Sequence, residues 1–153
     1  MLRTALAQAR QWRDAGHTEL VVAVNLSMVQ FRHPGLVDMV GRALADSNVP
    51  PQMLELELTE SIAMDAPEQV IAIVRQLYDL GVQLSIDDFG TGYSSFSYIQ
   101  RLKVHKLKID QSFVRHLGDD PSAPHIVRAI IGLAQSLGPV SYTHLTLPTN
   151  REV

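Results

Sequence analysis

Two adjacent carboxylates, Asp87 and Asp88, are the residues of this chain whose types and spacing point most directly to chemistry. They end an apolar, strand-like stretch over residues 82–86, and a glycine-rich turn follows immediately over residues 90–92. Neighbouring carboxylates repel each other unless a cation or strong hydrogen-bond donors lie between them. The pair therefore indicates a divalent metal site at a strand-to-helix turn, although Asp and Gly also form ordinary solvated turns.

Three further polar residues, Asn25, Glu57 and Lys108, lie at or near the ends of other strand-like stretches. Together with Asp87 and Asp88, the first two offer only oxygen ligands, which suit Mg²⁺, Mn²⁺ or Ca²⁺ better than zinc. Lys108 adds a positive charge that can balance the carboxylates, hold a phosphate or activate a water. The alternative is that these residues act separately, as caps and ion pairs.

Hydrophobic periodicity predicts the elements that position these residues. Apolar stripes at helical spacing predict a first helix that ends near Gly16, and a second that begins at Pro34. Because residues 20–24 are almost all apolar, they predict a strand that is covered on both faces. The remaining predicted elements are strands at 53–58, 82–87 and 106–110, helices at 67–81 and 126–138, and a short helical turn from about Ser94.

This alternation of strands and helices predicts an α/β fold with a parallel sheet and right-handed crossovers. The polar residues fall at the carboxyl ends of four successive strands. In a barrel of alternating strands and helices, that face carries the active site. In an open sheet, by contrast, ligands gather at one switch point. The distribution therefore favours a barrel.

Two more glutamates attract attention. Glu60 follows the second strand, where it either anchors the neighbouring glycine-rich turn or serves as a helix cap or surface acid. Glu55 shares strand parity with Glu57, so it is expected to point into the barrel below it. A buried carboxylate needs a partner, and Lys106, whose parity matches that of Lys108, is the candidate.

Composition excludes several classes of function. The chain has no cysteine, which rules out disulfides and thiolate chemistry and fits a reducing compartment. A net charge of -3 without a basic stripe predicts no nucleic-acid polymer as partner. The absence of a long apolar run predicts no membrane contact by this segment, so a cytoplasmic location is expected, although other domains of a parent protein could anchor it. No serine-hydrolase elbow, zinc-protease helix or phosphate-binding loop motif occurs.

Four motifs, taken in order, resemble those of one family. The run Asp87-Asp88-Phe89-Gly90-Thr91-Gly92-Tyr93-Ser94-Ser95 is similar to the signature loop of EAL domains, the cyclic di-GMP phosphodiesterases. The same holds for Asn25-Leu26-Ser27, Leu56-Glu57-Leu58-Thr59-Glu60-Ser61 and Leu107-Lys108-Ile109-Asp110. The resemblance covers residues 1–138 and implies an incomplete triosephosphate-isomerase-type (β/α) barrel, with about four of its eight strands in this chain.

The resemblance also implies roles for individual residues. Asn25, Glu57, Asp87 and Asp88 match ligands of two Mg²⁺ or Mn²⁺ ions, with Asp87 bridging them. Lys108 matches the catalytic residue that orients or activates the attacking water. Glu60 matches the acid that steadies the signature loop and thereby helps ligand binding and dimer contacts. The implied activity is hydrolysis of cyclic di-GMP to linear pGpG in bacterial signalling, and the implied assembly of the parent domain is a homodimer.

The chain also departs from the family pattern. It lacks the Glu-Ala-Leu motif, which is expected before residue 1, and the Ala-Glu-Gly-Val-Glu motif expected after Gly138, whose glutamate ligand would fall near His144. Residues 139–153 are therefore predicted to be a non-family tail, similar to translated adapter sequence, with an ordinary divergent tail as the alternative.

These observations predict the central part of a phosphodiesterase domain that is inactive by itself. Two alternatives remain. One is a degenerate EAL domain that binds cyclic di-GMP or a protein without hydrolysis. The other is a different Mg²⁺-dependent barrel enzyme, such as an enolase-like lyase, against which the complete signature loop argues.

Overall fold

The structure is a computed structural model that describes residues 1–89 and 96–109, together with the single positions His125, Arg128 and Gly132. The predicted glycine-rich turn, most of the predicted last helix and the boundary at residue 138 lie outside the described residues. Within the described part, no helix is both long enough and apolar enough to cross a bilayer.

Strands and helices alternate along the chain, as the sequence predicts. The elements are α1 (Leu2–Asp14), β1 (Val22–Leu26), α2 (Met28–Phe31), α3 (Leu36–Ser47), a 3₁₀ turn (Pro51–Met53), β2 (Leu54–Thr59), α4 (Glu60–Ala63), α5 (Pro67–Asp79), β3 (Gln83–Phe89), α6 (Phe96–Ile99) and β4 (Lys106–Ile109).

The four strands form one parallel sheet in the order β1-β2-β3-β4. Strands that follow each other in the chain are therefore neighbours in space. The long helices also contact one another in sequence, α1 with α3 and α3 with α5. Such winding in one direction is the arrangement of a (β/α) barrel, so the described strands form part of that barrel and the predicted fold class is confirmed.

The two faces of the sheet differ sharply in polarity. On β2, Leu54, Leu56 and Leu58 are fully buried, whereas the alternate residues Glu55 and Glu57 point to the opposite face. The leucine face belongs to the hydrophobic core, to which the helices contribute the buried residues Leu6, Ala9, Val40, Leu44, Val70, Val74 and Leu77. The other face, which lines the inside of the barrel, carries the charged side chains.

The expectation that the first strand is covered on both faces is wrong. Leu20 and Val21 lie before β1 and are 44% and 37% exposed. Within the strand, Val24 is buried on the core face and Ala23 is exposed on the inner face. The apolar run therefore marks one core-facing row and an exposed lead-in, and Ala23 on the inner face is left uncovered within the described residues.

Two helices also differ from the sequence-based expectation. α3 begins at Leu36 rather than at Pro34, after a turn in which the Gly35 N–H donates to His33 Nδ1 at 3.1 Å. The short helix α2 was not predicted. It is held by a capping box, in which the Gln30 N–H donates to Ser27 Oγ at 3.3 Å and the Ser27 N–H donates to Gln30 Oε1 at 2.9 Å.

His105 joins the start of β4 to β3. Its N–H donates to the Leu84 carbonyl at 2.8 Å, and its Nδ1 accepts the Leu84 N–H at 3.1 Å. Burial and the adjacent charge of Lys106 lower the pKa of His105, which keeps Nδ1 available as an acceptor. Tyr78 stacks on the imidazole with 5.0 Å between ring centroids. These contacts of His105 fix the position of β4 along β3, and hence the positions of Lys106 and Lys108.

The incomplete barrel generates a prediction about folding. In the described part, β1 pairs only with β2, whereas a closed barrel pairs every strand on both sides. We expect the isolated 153-residue chain to bind a hydrophobic dye and to show no cooperative transition in differential scanning calorimetry, because half of the closed core is lacking. A sharp, reversible transition in a monodisperse monomer would contradict this expectation.

Candidate active site at the carboxyl ends of the strands

The inner face brings together side chains from all four strands. Asn25 of β1 lies beside Glu57 of β2, which lies beside Ser85 of β3. Asp87 is two residues after Ser85, so it shares this face nearer the carboxyl end of the sheet. Asn25, Glu57 and Asp87 are thereby placed on one face, as the sequence predicts, with Lys108 of β4 across from them.

A β-bulge places the two aspartates. Ile86 pairs with Leu107 and Phe89 pairs with Ile109, so Asp87 and Asp88 together lie opposite Lys108 alone. Asp88 has φ 55°, in the left-handed region that Asp adopts more readily than most residues. Ile86 and Phe89 are both buried, with two carboxylates between them instead of one residue. The extra residue thus keeps both acids out of the core-facing row.

Two lysines of β4 pair with two glutamates of β2. Lys106 Nζ donates to Glu55 Oε2 at 2.5 Å, and Lys108 Nζ donates to Glu57 Oε1. Lys108 Nζ also lies 3.7 Å from Glu55 Oε1. The predicted Glu55–Lys106 pair is therefore confirmed. Positive and negative groups thus alternate on the inner face in an inner-face ladder, which consists of Glu55, Glu57, Lys106 and Lys108.

The ladder spans an intervening strand. β3 lies between β2 and β4, and its residue Ser85 is opposite Glu57 on one side and Lys106 on the other. Ser85 is completely buried, and its small side chain leaves room for the lysines to reach across to β2. It lies close enough to help lower the pKa of Glu55, although its Oγ makes no hydrogen bond of normal geometry within the described residues.

Mutual pairing sets the charge states of the ladder. Burial by itself raises the pKa of Glu55, but the hydrogen bond from Lys106 and the charges of both lysines outweigh it, and the pKa is lowered. Partial burial likewise disfavours the charged form of Lys108. The hydrogen bond to Glu57 and the charges of Glu57, Glu55 and Asp87 outweigh that effect and raise the pKa of Lys108. Both groups are therefore held in their ionised forms.

Glu60 is neither in a loop nor on the surface. It is the first residue of α4, is 3% exposed, and follows the N-cap Thr59, whose Oγ1 accepts the Ile62 N–H at 3.4 Å. The surface-acid interpretation is therefore wrong. Whether Glu60 anchors the signature loop stays a prediction, because residues 90–95 lie outside the described part.

A hydrogen bond that the sequence does not reveal joins α4 to α6. The buried Tyr98 hydroxyl donates to the Ala63 carbonyl at 2.5 Å. Burial raises the pKa of Tyr98 to about 12, so the phenol keeps the proton that it donates. The helix that begins with Glu60 is thus tied to the helix that follows the signature loop.

The donor set fits a hard divalent cation, because the atoms of Asn25, Glu57 and Asp87 that can ligate a metal are all oxygens. Among residues 1–89 and 96–109, no group of three or more His, Asp or Glu side chains is gathered closely enough to hold a metal ion. Asp88 is exposed in the bulge, and Glu57 is engaged by Lys108. The described residues therefore supply part of a ligand set, and the four-ligand assignment stays a prediction.

Comparisons with known proteins agree with this architecture. The EAL domain family matches residues 1–140. The bifunctional diguanylate cyclase/cyclic di-GMP phosphodiesterase MucR of Pseudomonas aeruginosa is 47% identical over 137 residues, which are 90% of this chain and 20% of MucR. The chain thus spans about a fifth of the length of that relative.

Solved structures place the chain in the same group. The PaMucR phosphodiesterase in complex with c-di-GMP superimposes with a TM-score of 0.85 at 47% identity, over 89% of this chain and 55% of that one. The manganese and cyclic di-GMP complex of Klebsiella pneumoniae BlrP1 gives a TM-score of 0.75 at 28% identity, over 89% of this chain and 34% of that one. Sequence, fold and the order of the strand-end residues lead to one conclusion: the chain belongs to the EAL domain family.

Proposed function

We propose that this chain is the central part of a phosphodiesterase domain that hydrolyses cyclic di-GMP to linear pGpG. The observation that carries the proposal is the bulge that sets Asp87 and Asp88 opposite Lys108, beside the Glu57–Lys108 pair, at the carboxyl ends of parallel strands. The 47% identity to MucR, a protein named as a cyclic di-GMP phosphodiesterase, supports the same substrate.

Asn25, Glu57, Asp87 and Asp88 are the residues that would hold two divalent cations, and Asp87 is the one that would serve both. Manganese and calcium complexes of BlrP1 support divalent ions of this type, and Mg²⁺ or Mn²⁺ fits the oxygen donors. Bound there, such ions supply Lewis-acid polarisation and neutralise the charge that develops on the phosphate during in-line displacement.

Residues of this chain orient the attacking water and support the loop beside it. A water oxygen forms a bond to phosphorus, the bond from phosphorus to one ribose 3′ oxygen breaks, and that oxygen takes up a proton. Lys108, ionised and held by the inner-face ladder, positions the attacking water and offsets negative charge at the phosphate. Glu60, buried at the start of α4, steadies the signature loop that follows β3.

Further parts of the proposal concern the whole domain. Residues 1–138 form its central part and residues 139–153 lie outside it. The sequence contains no Glu-Ala-Leu motif, so the ligand set is incomplete and we expect the 153-residue chain alone to be inactive. The parent domain works as a homodimer in the cytoplasm, consistent with a chain that has no cysteine.

A completed domain allows these statements to be tested. In it, residues 1–138 of this chain replace the matching segment of the MucR phosphodiesterase domain, which supplies the remaining strands. Asp87→Asn keeps the shape but replaces one carboxylate oxygen with an amide nitrogen and removes the charge. We expect it to lower kcat by about 10²–10³ and to weaken Mn²⁺ binding, measured by product formation across a metal titration.

Asp79→Asn is the matched control, because Asp79 ends α5 and is exposed on its surface. It should leave both kcat and the metal dependence unchanged. Near-full activity of Asp87→Asn with an unaltered metal dependence would overturn the two-metal assignment.

Lys108→Ala tests the second role. Lys108 is not a ligand, so we expect turnover to fall while Mn²⁺ affinity is much less affected than in Asp87→Asn. Substrate binding without turnover in the unmodified completed domain would instead support the alternative of a degenerate domain that binds cyclic di-GMP. Equilibrium binding of cyclic di-GMP, measured alongside hydrolysis, separates the two functions.

The link between α4 and α6 generates a separate prediction. Tyr98→Phe removes the donor to the Ala63 carbonyl and leaves a buried acceptor unsatisfied. We expect the free energy of unfolding of the completed domain to fall by about 1–2 kcal/mol in denaturant titrations. Tyr78→Phe makes the same chemical change at a side chain that is 39% exposed, and a loss of equal size there would contradict the assignment.

A further inference from the structure

Glu55 is a buried ionised group that the proposed reaction does not use. Its side chain is 4% exposed and lies on the inner face, two residues before Glu57. Lys106 occupies one of its oxygens, Oε2, at 2.5 Å. Within the described residues, the other oxygen, Oε1, is buried and accepts no hydrogen bond. A buried carboxylate oxygen left in this state is unfavourable, so a donor for it is expected in some state of the molecule.

Two donors adjoin this oxygen: the Ser85 hydroxyl, whose Oγ also lacks a hydrogen-bond partner among the described residues, and the ammonium of Lys108, which is the charged one. Lys108 Nζ lies 3.7 Å from Glu55 Oε1 while it contacts Glu57 Oε1. A charge-assisted hydrogen bond has a length of about 2.7–2.9 Å, so a movement of about 1 Å would bring Lys108 into contact with Glu55. Lys108 is 37% exposed and unbranched, which leaves it free to make this movement.

A cation at Glu57 supplies the reason to move. The oxygen that now accepts from Lys108 is one of the two donor atoms that Glu57 can offer a divalent ion, and an ammonium next to that ion would be repelled. Without a second anionic acceptor, Lys108 would either compete with the ion for Glu57 or leave the site. Glu55 Oε1 provides that acceptor on the same face, one step further from the carboxyl end of β2.

We propose that Glu55 is a positioning residue to which Lys108 transfers when Glu57 binds a divalent cation. This inference rests on the proposed function. Lys106 fixes the Glu55 carboxylate through Oε2, so that Oε1 stays directed at Lys108. The lysine thereby gives up Glu57 and remains beside the reaction centre in its ionised form.

The test measures Mn²⁺ binding to the completed domain by isothermal titration calorimetry. Glu55→Gln removes the anionic acceptor and keeps the volume, so Lys108 stays on Glu57 and the Kd for Mn²⁺ should rise about 10–100-fold, as for other residues that support metal ligands. Glu68→Gln is the matched control. Glu68 pairs with Arg101 on the surface, and its loss should leave the Kd unchanged.

A double-mutant cycle separates positioning from general support. In a Lys108→Met background no ammonium competes for Glu57, so adding Glu55→Gln should change the Kd by no more than about twofold, the scatter expected for independent sites. An equal loss in both backgrounds would overturn the inference, because Glu55 would then act through its charge or through the fold alone.

A second variant, Glu55→Gln with Lys106→Met, controls for misfolding caused by an unpaired Lys106. It removes both charges of the Glu55–Lys106 pair. The same Lys108-dependent rise in Kd is expected, and its absence would overturn the inference. If the unmodified domain binds Mn²⁺ and loses it in Asp87→Asn while Glu55→Gln has no effect, only this inference fails. If the unmodified domain binds no Mn²⁺, the proposed metal site fails with it.

Discussion

Opposite charges on two strands that are not neighbours form the constraint on which the site depends. Strand spacing in a sheet puts β2 and β4 roughly 9–10 Å apart, with β3 between them. The lysines of β4 nevertheless reach the glutamates of β2, because Ser85 is small. Glu55 and Glu57 thereby each gain a cation, without which their burial would be strongly unfavourable. The positions of Glu57 and Lys108, two of the strand-end groups, are tied directly to this arrangement.

Much of the architecture could be predicted from the sequence because it rests on periodic patterns. Helical stripes such as Leu6 with Ala9 and Val70 with Val74 are buried as expected. The parity of Glu55 and Lys106 was enough to predict an ion pair between residues that are distant in the chain. These predictions hold because periods of 3.6 and 2 residues determine which side chains share a face.

The sequence pattern could not reveal features that depend on local backbone geometry or on long-range contacts. The alternation of apolar and polar residues does not predict the bulge, in which Asp88 has φ 55°. The burial of Glu60 could not be predicted from periodicity, because α4 has only four residues and is too short to show a hydrophobic stripe. The Tyr98–Ala63 bond joins distant segments without any motif. The capping box at Ser27 and Gln30, in contrast, was a readable signal for α2.

The two-rung ladder also bears on how the strands find their alignment. A slip of β4 by one residue turns each of its side chains to the wrong face, and the loss of the buried position of Leu107 already penalises it. A slip of two residues restores the faces, so hydrophobicity alone does not distinguish it. It would, however, set Lys108 against Glu55 or Lys106 against Glu57, and the remaining glutamate would be buried without a lysine. The ion pairs therefore select one register of β4 relative to β2 among registers that differ by two residues, which the apolar pattern alone does not distinguish.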